Sequence, residues 1–284
     1  MTTFFLWLYL LELVGAAVVT TLGCVACHIL HLDWAPSAPL WFAGYLLVYN
    51  LNRLFPDPAD ELNTPIRFAC GARLRRCRQI LVCAAALVLV IWPILTGRLW
   101  LVAALAALAY SIHFYSRPIP RIQLRLKDLP YLKSFIPPFV IAAVLVLWPI
   151  FDLGRTPDAI GWLVFIWVFL ILTMNSLVFD YRDIVGDRRA GTRTIPALLG
   201  PRVSRLLIAL IAIAITLCGM ALSWFRLEGM LLPGMLAFGC AILLVLIHQK
   251  THPLLLSLFA DLLLVLPALA ELLARFPWFA HRSF

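Results

Sequence analysis

Asp180, Asp183 and Asp187 close an apolar run in the stretch NSLVFDYRDIVGDRRAGTRTIPALLG, residues 175–200. Continued as a helix, spacings of three and seven residues bring the three carboxylates within roughly 60° of one face. Neighbours so placed stand about 5–6 Å apart and repel one another unless a positive charge lies between them. Arg182, Arg188, Arg189 and Arg193 follow in the same stretch. Three aligned carboxylates beside a basic cluster make the oxygen donor set of a divalent-metal site for a phosphorylated ligand. The plainer alternative is a solvated helix end whose acids pair with nearby arginines, and the mutual repulsion of three acids on one face argues against it.

A second acidic cluster, Asp57, Asp60 and Glu61, lies downstream of Asn50 and Asn52. It has a local explanation as well. Asp57 suits an N-cap, Pro58 the first helical position, and Asp60 and Glu61 the first turn, where acids complement the helix dipole. The two asparagines, polar groups near the end of an apolar segment, favour a functional role instead.

The elements that must position these groups are set by composition. Charged residues are 13% of the chain and hydrophobic residues 63%, against about 25% charged in soluble domains. With a mean hydropathy of +0.97 and apolar segments from end to end, the chain is expected to be all-α, integral to a membrane, and one polytopic domain over residues 1–284. Nine spans are expected, at about 4–30, 38–55, 80–96, 99–115, 134–151, 160–179, 206–225, 230–247 and 254–273. A β-barrel would need alternation with a period of two, and none is visible. MTTFFLW carries no positive charge, which predicts a retained first span rather than a cleaved leader.

Basic residues set the expected orientation. Of the 23 Lys and Arg, 18 fall in the connections after spans two, four, six and eight when Arg53, at the end of span two, is counted with the first of them, while those after three, five and seven hold one each. This alternation places the N-terminus, the large basic loops and both acidic clusters on the cytoplasmic side, and the C-terminus outside. The longest loops leave no room for a soluble domain. A multi-pass protein with its active face in the cytoplasm follows, in the cell membrane if the source is bacterial. Neither a nucleic-acid partner nor an obligate protein partner is evident.

Seven cysteines, several inside apolar runs, suggest no disulfide framework. Cys24, Cys27 and His28 spell C-x-x-C-H, a c-type haem signature, but within an apolar segment two buried thiols and an interfacial histidine explain them better. His248 and His252 lack the glutamate of a zinc-protease helix and fit a loop.

Asp180-Tyr-Arg-Asp183-Ile-Val-Gly-Asp187-Arg-Arg-Ala-Gly-Thr-Arg-Thr-Ile-Pro resembles the second aspartate-rich motif, D-x-x-D-x-x-x-D, of the UbiA family of intramembrane prenyltransferases. The loop after the fourth span, Tyr115-Ser-Arg-Pro, Arg125-Leu-Lys127 and Tyr131-Leu-Lys133, is also similar to that family's. The first motif departs from the family form N-D-x-x-D-x-x-x-D. Matching Asp57 and Glu61 to its last two acids puts Leu54 at the first aspartate. Matching Asp60 to its last acid recovers Asn52 as the asparagine and puts Arg53 and Pro56 at acidic positions.

The resemblance implies a bundle of about nine transmembrane helices around a central cavity open to the cytoplasmic side. It implies Mg²⁺-dependent transfer of a prenyl group from a polyprenyl diphosphate to an aromatic or lipophilic acceptor. Asp57, Asp60, Glu61, Asp180, Asp183 and Asp187 would hold metal, the last three acting in catalysis. Asn52, Arg53, Lys127, Lys133 and Arg193 would bind the diphosphate, and the ring of Tyr115 would face an allylic cation. A terpene cyclase of the same fold, or a non-catalytic prenyl-diphosphate-binding or transport protein, are the alternatives.

Overall fold

The computed structural model describes residues 2–55, 58–99, 101, 129–226, 231–248 and 253–274, and among these every regular element is helical. In chain order the helices are α1 (Thr2–Leu10), α2 (Leu13–Ile29), α3 (Ala38–Leu54), α4 (Pro58–Asn63), α5 (Pro65–Ala69), α6 (Gly71–Leu95) and α7 (Leu132–Asp152, with a π-helical turn at Ala143–Leu147). They continue with α8 (Ala159–Arg182), α9 (Ile184–Ala190), α10 (Ile195–Arg226), α11 (Leu231–His248) and α12 (Pro253–Ala274).

Five helical stretches, Gly71–Leu95, Leu132–Asp152, Ala159–Arg182, Ile195–Trp224 and Leu255–Leu273, are long and apolar enough to cross a membrane. The expected first span is two helices rather than one, the second is α3 and the eighth is α11. Most of the expected fourth span lies outside the described residues. The outer surface of α10 shows why lipid suits these helices. Leu206, Leu210, Ile213, Leu217 and Met220 form an exposed row at spacings of three and four, while Ile208, Ile215 and Leu222 are buried. In water each such side chain forgoes roughly 1.5–3 kcal/mol of burial, which an apolar solvent removes.

The chain divides into two units. The first comprises Met1–Thr20, Ala35–Lys133 and Asp183–Thr194. In it α3 packs along α6, and α4 packs against both α5 and α9. Its unusual feature is the break between α1 and α2. Glu12 has φ +63, a left-handed conformation costing a non-glycine residue about 1–3 kcal/mol. The carbonyls released there are not left bare, as lipid would require. Asn50, fully buried, donates its Nδ2 to the Leu11 carbonyl at 3.1 Å and to Leu46 at 3.0 Å. Arg78 Nη2 donates to the Leu10 carbonyl at 3.4 Å.

The second unit comprises Thr21–Trp34, Ser134–Arg182 and Ile195–Phe284. Its centre is α8, where Val164, Trp167, Val168, Ile171, Met174 and Val178 are fully buried against neighbours that include α10 and α12. Two polar bridges cross from α8 to α12: Asn175 Nδ2 donates to Asp261 at 3.3 Å, and Arg182 Nη1 to Ser257 Oγ at 2.5 Å. His28 pairs with Glu271, and Cys27 is buried. The C-x-x-C-H residues therefore lie within the helix α2, as the apolar pattern suggested.

Candidate functional site

The helix that carries Asp180 does not run on through the other two aspartates. α8 ends at Arg182, Asp183 turns with φ −95 and ψ 7, and α9 begins at Ile184. The expectation of one continuous helix is corrected at this point. The Asp187 N–H still donates to the Asp183 carbonyl at 2.9 Å, so these two acids remain one helical turn apart, whereas Asp180 belongs to the preceding helix.

α9 ends as its sequence requires. Gly191 has φ +74, which glycine adopts without a Cβ penalty. The Thr192 N–H then donates to the Asp187 carbonyl at 2.9 Å and the Gly191 N–H to Arg188 at 3.4 Å, the paired bonds of a glycine-terminated helix. The chain is thereby turned back so that Thr194, fully buried, hydrogen-bonds the Asp187 carboxylate.

Asp187 is 1% exposed. Burial raises its carboxyl above the ordinary aspartate value, and the charge of Asp183 adds to the rise. The charge and hydrogen bond of Lys133, with the Thr194 hydroxyl, pull it back down. Lys133 Nζ donates to both oxygens, at 3.0 and 2.9 Å. It is brought there by a backbone bond two residues earlier, where the Tyr131 N–H donates to the Arg193 carbonyl at 3.1 Å. Tyr131 turns with φ +67.

The first acidic cluster meets this group through α4. Asp60 and Glu61 lie on α4, which packs against α9. The closest approach is at Gly186, where an added Cβ would overlap the side-chain amide of Asn63. Gly186 sits between Asp183 and Asp187, so the motif's glycine allows the helix bearing Asp60 and Glu61 to reach the helix bearing Asp187. The start of α4 at Pro58 agrees with the expected first helical position of that proline.

In the second unit, Asp180 is 4% exposed and accepts a 2.6 Å bond from the buried Ser134 Oγ. Of the other expected residues, Glu61, Asn52 and Arg193 are exposed, and Arg53 pairs with Glu12, Nε to Oε1 at 3.5 Å. Asn50, not Asn52, is the buried asparagine of its pair. Asp57, Tyr115 and Lys127 lie outside the described residues. Arg182 is committed to packing, its guanidinium 5.0 Å from the Phe179 ring centre. Sequence reasoning passed over Ser134, Thr194, Asn63 and Asp261. Thr194 was within reach, because it stands inside the quoted motif, but Ser134, next to Lys133, and Asn63, two residues after Glu61, had no signal beyond those neighbours.

Whether these groups suit a divalent ion can be judged on Asp187. Its donors are hard carboxylate oxygens, the kind Mg²⁺ takes, and both already face a cation, the ammonium of Lys133. Lys133 thus stands in for the positive charge the buried acid needs. Among the described residues no three Asp, Glu, His or Cys are drawn together closely enough to hold an ion by themselves. The chemistry fits, and further oxygens must come from a ligand, from water or from the acids outside that set.

The model of the UbiA prenyltransferase family matches residues 18–254. No curated protein and no solved structure matches the chain.

Proposed function

The chain belongs to the UbiA prenyltransferase family, an integral-membrane family, and on that premise we propose that it transfers a prenyl group from a polyprenyl diphosphate to an aromatic or lipophilic acceptor, at the cytoplasmic side of the membrane and with Mg²⁺. The observation that carries the reading is the buried Asp187. Lys133 and Thr194 bind it, and its helix is closely packed on the one that carries Asp60 and Glu61.

In this reading Asp180, Asp183, Asp187, Asp57, Asp60 and Glu61 are the carboxylates that would hold metal. Bound Mg²⁺ would neutralise the diphosphate and so ease its departure. Lys133 answers whichever negative charge is nearest, Asp187 in the resting protein and diphosphate oxygen in the complex. Lys127, Arg193, Asn52 and Arg53 supply further donors to the same group. The bond that breaks joins the prenyl C1 to oxygen, and its electron pair leaves on the diphosphate. The allylic cation so formed is shielded by apolar walls and faced by the ring of Tyr115. The acceptor attacks C1 and gives up one proton. A membrane bundle suits these reactants, since the tail needs an apolar solvent and the head needs charges.

The test is purified protein in detergent with geranyl, farnesyl and longer prenyl diphosphates, with Mg²⁺ or with chelator. Membrane extract or a panel of phenolic acids and quinone precursors supplies the acceptor. Prenylated acceptor with stoichiometric diphosphate release supports transfer. A cyclic hydrocarbon from the diphosphate alone would mark the cyclase alternative. Binding without diphosphate release would mark a carrier.

A further inference from the structure

α6 (Gly71–Leu95) is long and apolar enough to cross a membrane, and its two sides differ. Leu74, Arg78, Ala85, Leu89 and Pro93 are its buried side, in a helix along which α3 packs. Ile80, Leu87, Ile91 and Ile94 are exposed. At 3.6 residues per turn these four lie within roughly 40° of the direction of Ile80, opposite the buried side. Such a row finds its natural solvent in lipid acyl chains.

Carried back toward the start of the helix, the same stripe runs through Arg76 and Arg73, four and seven residues before Ile80. Both fall within roughly 40° of Ile80, and both are exposed. Arg75 is exposed as well, but it lies roughly 140° round the helix. Positive charge anywhere in this connection satisfies the orientation rule. That rule does not call for two arginines in line with the apolar stripe.

Their depth is set by the helix. Residues 80–95 contain no charged side chain, so Ile80 marks the edge of the hydrocarbon on α6. A rise of 1.5 Å per residue sets Arg76 and Arg73 about 6 and 10 Å beyond that edge. The headgroup layer is about 5–8 Å deep on each side of the core, and long basic side chains bend to reach it. The two guanidiniums therefore stand at the level of lipid phosphates, as neighbours three residues apart on one face. Among the described residues neither has a carboxylate partner.

We propose that Arg73 and Arg76 form a binding site for the phosphodiester headgroup of an anionic phospholipid, whose acyl chains lie along Ile80, Leu87, Ile91 and Ile94. Guanidinium forks take phosphate oxygens in pairs. Two positive charges favour a lipid of net negative charge over a zwitterionic one, whose own ammonium would face the same arginines. The site uses none of the residues of the acidic motifs and does not depend on the prenyl-diphosphate reading.

The experiment takes the full chain in a neutral detergent, adds equimolar phosphatidylglycerol and phosphatidylcholine, and reads the retained lipid by native mass spectrometry. Wild type is expected to retain phosphatidylglycerol about tenfold over phosphatidylcholine, and to keep it when millimolar glycerol phosphate is added. Arg73→Gln and Arg76→Gln should each lower the preference about threefold, and the double variant should abolish it. Lysine at both positions should recover part of it. Arg75→Gln removes the same charge from another face and should leave the preference unchanged. The substituted side chains are exposed, so each variant is expected to keep its helical content and gel-filtration profile. A wild type without preference, or a double variant that keeps it, overturns the site. Equal loss in Arg75→Gln and in the two stripe variants overturns its placement and leaves only a diffuse charge effect. Displacement of the lipid by glycerol phosphate marks a free-phosphate site and overturns the lipid assignment.

Discussion

The ammonium of Lys133 stands 2.9 and 3.0 Å from the two carboxylate oxygens of Asp187, so the most buried acid of the second motif faces a cation. Lys133 is 29% exposed at its side chain and Asp187 2%. The lysine can therefore be released to water or to a ligand, whereas the aspartate cannot move out. A resting pair of this kind favours the ionised carboxylate against the effect of burial and holds it in place for an incoming charge, which is what the proposed chemistry needs from it.

Removing the lysine should expose that dependence. Lys133→Met leaves a buried carboxylate whose remaining side-chain donor among the described residues is the Thr194 hydroxyl, and is expected to cost about 1.5–3 kcal/mol. Thermal unfolding in detergent reads it, and Lys133→Met combined with Asp187→Asn should recover most of the loss. An additive double variant would show that the two side chains do not act as a pair.

The pH dependence of that loss follows from the direction of the Asp187 shift. Its carboxyl titrates above the ordinary aspartate value because it is buried. Between the two values the folded chain holds a proton that the unfolded chain has released, so this group's contribution to stability falls as pH rises. Above the raised value the cost of the buried charge is fully present. Lys133 reduces it, so Lys133→Met should be least destabilising below the ordinary aspartate value and more so as pH rises through the raised one. Unfolding midpoints of both proteins across that range, in chelator, test the sign.

Gly186→Ala should separate the two acidic helices. Its Cβ would overlap the Asn63 side chain, and the expected cost of such overpacking is about 1–3 kcal/mol, with lost prenyl transfer. Adding Asn63→Ala makes room and should restore both stability and turnover. If the single variant is fully active, the contact between α4 and α9 does not serve the site.

Gly191→Ala tests the turn that returns Thr194 to Asp187. With φ +74 at this position, alanine is expected to cost about 1–2 kcal/mol. Its effect on transfer should resemble that of Thr194→Val, which removes only the hydroxyl. The comparison is made on purified protein by initial rates.

Much of this was legible beforehand because lipid makes simple demands. Apolar run length located α3, α6, α7, α8, α10, α11 and α12. The break at Glu12 was not legible. LLELVG offers no proline or turn cluster, and the conformation depends on Asn50 and Arg78, whose contacts join residues 39 and 68 positions apart. Asn50 and Asn52 lie two apart near one helix end, and only packing decides which is buried. The turn at Asp183 was hidden for a related reason, since the spacing of three acids fits one helix as readily as two in succession. Asp261, an acid well inside its apolar segment, bonds Asn175 on another helix, which no local spacing announces.

The central claim is that the second acidic motif serves prenyl transfer, and Asp183→Ala tests it most directly. Asp183 opens α9 and is less buried than Asp187, so its removal should leave the protein inserted and folded. With Mg²⁺, a prenyl diphosphate and acceptor, the wild type is expected to release diphosphate and form prenylated product, and purified Asp183→Ala to form none above background. Undiminished turnover in the purified variant would contradict the account.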